Sequence, residues 1–85
     1  MQAELLSQPI NFAIVQLPER QFPGVVVQGD TLHALTQRVE EMNEALRRGD
    51  LQELSDLIAD VSEQLSGAKE HYERVCTERG LSLPY

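Results

Sequence analysis

Apolar and polar positions follow two different rhythms along this chain, and the change falls near residue 29. Ile10–Leu17, with the sequence I-N-F-A-I-V-Q-L, reads as a strand. Ile10, Phe12 and Ile14 fall on one face; Ala13, Val15 and Leu17 fall on the other. Apolar residues on both faces predict a strand covered on both sides. Residues 18–24, Pro-Glu-Arg-Gln-Phe-Pro-Gly, read as a turn. Gly24–Gln28 carries Val25, Val26 and Val27 in succession, and such β-branched runs favour a second strand. Ahead of both, Ala3–Gln8 is compatible with one helical turn stopped by Pro9.

From residue 30 the period is helical. Asp30 or Thr31 is a suitable cap. Leu32, Leu35, Val39, Met42 and Leu46 then step by 3, 4, 3, 4. Arg47 and Arg48 suit a helix end, and Gly49 suits the residue just past it. Asp50-Leu51-Gln52-Glu53 has the logic of a capping box with Asp in the first place. Leu51, Leu54, Ile58, Val61, Leu65, Ala68, Tyr72 and Val75 extend a second, longer helix, with Gly80 as its stop. The chain therefore reads as α+β. A β-hairpin over 10–28 precedes an antiparallel two-helix hairpin over 31–79, in the order ββαα, and 80–85 form a short tail. The expectation is a single domain over 1–85.

The second helix should outrun the first by about a third of its length, which leaves Ala68, Tyr72 and Val75 in need of cover. A two-stranded sheet is marginal on its own. Both considerations point to the β-hairpin, or to a second copy, as the cover. A homo-oligomer is expected, with Val25, Val26, Val27, Leu65, Ala68, Tyr72 and Val75 forming its seam or the core.

Charge narrows the choice of partners. The 85 residues carry 14 acids against 7 bases, a formal net charge of −7. Residues 1–29 contribute only −1 of this, through Glu4, Glu19 and Arg20. Such a balance argues against nucleic acid, whose phosphates require a clustered basic surface. It argues equally against an anionic membrane surface. Met1-Gln2-Ala3-Glu4 lacks the basic start of a secretory signal, and no apolar run reaches spanning length, so a cytoplasmic protein is expected. A single cysteine rules out an internal disulfide.

The candidate chemistry is sparse. Glu40, Glu41 and Glu44 followed by Glu53 and Asp56 have the outline E-E-x-x-E…E-x-x-D. This resembles the magnesium motif of the all-helical nucleotide pyrophosphohydrolases, which would assign Glu41, Glu44, Glu53 and Asp56 to Mg²⁺. Against that, only eight residues separate Glu44 from Glu53, and the heptad pattern turns these acids outward and apart. His33 and His71 stand alone, and no base accompanies Cys76. Arg48-Gly49-Asp50 spells RGD, but helix-cap chemistry accounts for all three residues. No catalytic residue, metal site or cofactor is expected. Glu53, Asp56, Asp60 and Glu63 step by 3, 4, 3 as one outward stripe with no balancing base. Such a stripe can dock a basic protein.

Asn11–Val15, with the sequence N-F-A-I-V, and Arg20–Leu32, with R-Q-F-P-G-V-V-V-Q-G-D-T-L, resemble the signature of a family of small uncharacterised bacterial proteins. That likeness implies no activity and no catalytic residues. In size, acidity and lack of catalytic groups the chain also resembles bacterial immunity proteins. This implies a non-catalytic binder that occludes a basic toxin domain. The alternative is a self-associating structural or adaptor protein.

Overall fold

A computed structural model describes residues 2–6 and 11–85. Three strands precede two helices: β1 (Glu4–Leu5), β2 (Phe12–Gln16), β3 (Gly24–Val27), α1 (Gly29–Arg48) and α2 (Leu51–Glu78). The strands form an antiparallel sheet in the order β1-β2-β3. Sheet first and helical hairpin second is the α+β order read from the sequence. The chain divides into two compact units, one of Met1–Gln28 with Ala68–Tyr85, the other of Gly29–Gly67.

In the first unit β2 is the central strand. It pairs Glu4 with Gln16 and Leu5 with Val15 on one edge, and Phe12 with Val27 through Val15 with Gly24 on the other. The backbone N–H of Leu6 extends the ladder to the Ile14 carbonyl at 2.7 Å. The helical turn expected over Ala3–Gln8 is thus corrected at Glu4–Leu5, which are strand. The rest of that expectation lies partly outside the described residues, as does Ile10. The physical reason is that Pro9 blocks helix growth, while β2 offers an open edge to any extended neighbour.

Ile14 and Val15, adjacent in β2, point to opposite faces, and both are buried, so the sheet is covered on both sides at its centre. Ile14 packs with Leu6, Tyr72, Val75 and Cys76, and Leu83 of the tail leans on the same cluster. The end of α2 is thereby covered by the sheet. Each buried aliphatic or aromatic side chain here is worth about 1.5–3 kcal/mol. The turn between β2 and β3 is latched by Gln16, whose Nε2 donates to the carbonyls of Leu17 at 3.1 Å and Arg20 at 2.8 Å. Glu19 takes φ 64° in that turn, a left-handed conformation that costs a non-glycine residue about 1 kcal/mol.

Both helices end in the same way. Gly49 and Gly80 adopt φ 73° and 66°. The N–H of Asp50 reaches the Ala45 carbonyl at 2.9 Å and that of Gly49 reaches Leu46 at 3.1 Å. At the second stop, Leu81 reaches Cys76 at 2.8 Å and Gly80 reaches Thr77 at 3.2 Å. These are paired Schellman bonds, which satisfy carbonyls the helix leaves open. Asp50 also starts α2, because its Oδ1 accepts from the Glu53 N–H at 3.1 Å. The other half of a capping box is absent because the Asp50 N–H is already committed to Ala45. At the start of α1 the helix begins one residue before Asp30, so Asp30 sits inside the first turn, accepting from the Thr31 N–H at 2.9 Å.

The second unit is the pairing of α1 with the first part of α2. Its fully buried residue is Ala45, and Leu57 is 7% exposed. Leu35, Met42, Leu54 and Val61 are half-buried beside them. The 3, 4 spacing implies that the apolar positions of the two helices face each other, and this is corrected for six of them. Leu32, Val39 and Leu46 of α1, and Leu51, Ile58 and Leu65 of α2, are exposed by 48–69%. On each helix the apolar arc is wider than one seam. The helices meet along the edge of the arc that contains small Ala45, and the larger aliphatics are left on the flank.

Candidate interaction surface

Helical geometry assigns the side chains of the second unit to two faces. At 100° per residue, Leu32, Val39 and Leu46 lie clockwise of the buried line through Ala45, viewed from the start of α1. Leu51, Ile58 and Leu65 have the same offset from Leu57 on α2. The helices are antiparallel, so equal offsets bring both rows to one face of the hairpin. The opposite offset brings Glu41 of α1 and Glu53, Asp56 and Asp60 of α2 to the other face. The hairpin therefore has an apolar face and an acidic face.

The acidic face is not uniformly unbalanced. Arg38 bridges the helices, with Nε 3.2 Å from the Asp60 carboxylate and Nη1 2.8 Å from Glu41. The hydrogen bond and charge of Glu41, followed by the charge of Asp60, raise the Arg38 pKa above its ordinary value. Gln52 donates to Asp56 at 3.1 Å and Gln64 to Asp60 at 3.4 Å. The expectation of a stripe with no balancing base is corrected at Asp60. Arg38 belongs to the other helix, so no local sequence pattern links it to Asp60. Two positions equally distant from Gly49 are neighbours in a hairpin, and that symmetry was the available signal. Glu53, Asp56 and Glu63 are all exposed.

Glu40, Glu41, Glu44 and Glu53 border one shallow groove together with Arg47 and Arg48. Three of the four carboxylates in the pyrophosphohydrolase-like outline thus border one groove, and Arg47 is hydrogen-bonded to Glu44. Asp56 does not border it. Among the described residues no three acid, histidine or cysteine side chains stand close enough to hold a metal ion.

The first unit holds the remaining polar and nucleophilic groups. Cys76 is a free thiol with no exposed surface. Tyr72 is buried, and its hydroxyl donates to the Pro23 carbonyl at 2.8 Å. Burial, with the neighbouring Cys76 second, raises the Tyr72 pKa. His71 Nε2 is shielded and has no hydrogen-bond partner among the described residues. The tail folds back onto α2, where the Tyr85 hydroxyl donates to Glu73 at 3.0 Å and Lys69 Nζ lies 5.1 Å from the Tyr85 ring centre. Of the predicted seam, Tyr72 and Val75 are buried in this unit and Ala68 is half-buried, while Val25 and Val26 are exposed. Val27 is half-buried, and Leu65 is on the apolar face of the second unit. Among the described residues no helix is long and apolar enough to cross a membrane.

These features define a small α+β protein with a two-faced helical hairpin. The chain belongs to the family of unknown function DUF6959, whose model matches residues 1–85. No curated protein and no solved structure matches it.

Proposed function

We propose that this chain is a non-catalytic protein-binding module of immunity or antitoxin type, which holds a basic partner on its acidic helical face and blocks it by occlusion. The observation that supports this most directly is the segregation of exposed Glu53, Asp56 and Glu63 on one helix, with Arg38 directed at neighbouring Asp60 and Arg47 at Glu44. A one-sided field of this kind steers and orients a cationic surface. The partner is a protein with a basic active face. The test is capture by tagged protein at low and high salt, repeated with Glu53→Lys, Asp56→Lys and Glu63→Lys. One basic protein should be recovered at low salt, lost at high salt and lost in the charge-reversed variant. A partner held equally well by that variant would end the reading.

The exposed leucine and isoleucine rows favour a second reading, that the protein is a structural or adaptor component that associates with itself. A Mg²⁺-dependent nucleotide hydrolase draws less support, since Asp56 lies away from the groove that Glu41, Glu44 and Glu53 share.

A further inference from the structure

We infer that the apolar face of the α1–α2 hairpin is a self-complementary docking surface, and that its occupant is the same face of a second copy. This rests on the self-association reading above and assigns that reading a surface. The six exposed aliphatics form three rungs: Leu32 with Leu65, Val39 with Ile58, and Leu46 with Leu51. In every pair the two residue numbers add to the same value, one less than for the bridged pair Arg38 and Asp60. Each pair is therefore level across the antiparallel hairpin. Successive rungs are seven residues apart, or about 10 Å along the helices.

The ladder reads the same from either end. Leucine faces leucine at both outer rungs, and valine faces isoleucine in the middle. A two-fold axis between copies, along the helices or across them, sets outer rungs on outer rungs and the middle rung on the middle rung. That is the isologous contact of a symmetric dimer, and it would bury the rungs in a four-helix bundle.

Charge and area also select a second copy. The chain carries −7, so most of its surface repels a copy of itself. Beside the rungs, however, stand exposed Thr36, Asn43, Ser55 and Ser62, all neutral. Glu41, Glu53, Asp56 and Asp60 lie on the opposite face. Two copies can therefore meet here without bringing carboxylates together. Fully covered, the half-exposed rungs offer on the order of 500 Å² per copy, so a pair buries up to about 1,000 Å², the threshold for a biological interface and the range of a weak dimer.

The test is sedimentation velocity on the full chain up to high micromolar concentration. The wild type should be a dimer. Val39→Glu with Ile58→Glu should be a monomer over the same range with an unchanged helical circular dichroism signal, because both positions are exposed. Leu51→Gln, at the most exposed rung position, should weaken the dimer severalfold and provides a second probe if the glutamates disturb folding. Val25→Lys with Val26→Lys on edge strand β3 should leave the dimer intact. A monomeric wild type would overturn both this inference and the self-association reading. A dimer that survives the helical substitutions would overturn the inference alone, and its loss in the β3 variant would move the contact to the sheet edge.

Discussion

The Tyr72 hydroxyl donates to the Pro23 carbonyl at 2.8 Å, across 49 positions of sequence. Pro23 precedes β3 and is buried, and Tyr72 lies in the last third of α2. The bond ties the turn that launches β3 to the helix that covers the sheet. It also satisfies a carbonyl that would otherwise be shut away from water.

Removing that donor should be costly for its size. Tyr72→Phe keeps the ring, so packing is retained, but it leaves the Pro23 oxygen buried and unpaired. The expected loss is about 1–3 kcal/mol. Urea unfolding measures it as a lower midpoint at unchanged slope. A loss below a few tenths would show that water replaces the phenol.

The same phenol sets an alkaline limit on stability. Its folded-state pKa lies above the ordinary tyrosine value of 10.0, chiefly because burial disfavours the phenolate. The unfolded chain therefore ionises first. The stabilisation from the neutral phenol is complete below pH 10 and declines as pH rises through 10 towards the folded value. Unfolding midpoints taken from neutral to strongly alkaline pH should fall in that window. The fall should be shallower in Tyr72→Phe, where exposed Tyr85 is the remaining tyrosine.

The hairpin turn should be sensitive to backbone conformation alone. Gly49 holds φ 73°, and a Cβ placed there would meet nothing within 4 Å. Gly49→Ala should then cost about 1–2 kcal/mol through the left-handed conformation and not through a clash. Gly49→Asn should recover part of it, since asparagine tolerates that region. Thermal unfolding of the three proteins would show the order Gly, Asn, Ala.

What could be read from the sequence was mostly what neighbouring residues decide among themselves. Gly49, Gly80 and Asp50 act within one helical turn, so their roles were visible from residue type and position. Strand β2 was visible because Ile14 and Val15 lie in a short apolar run, Phe12–Val15, that puts apolar residues on both faces. Strand β1 was not, since Glu4 and Leu5 are too few to show a period and pair only because β2 has a free edge. The helix seam was misplaced because periodicity gives weight to large residues. Ala45, the smallest side chain in the arc, allows the closest approach, while Leu32, Val39 and Leu46 stay outside. The Arg38–Asp60 bridge was hidden because it joins two helices through the geometry of a turn.

Enclosure of Cys76 has a practical consequence for handling the protein. The sole sulfhydryl lies against Ile14, Val75 and Tyr72 with no exposed surface, so it cannot meet a maleimide or a second thiol while the first unit is closed. Covalently linked pairs in a non-reducing gel would therefore record molecules whose core had opened, and the rate of labelling would serve as a clock for that opening.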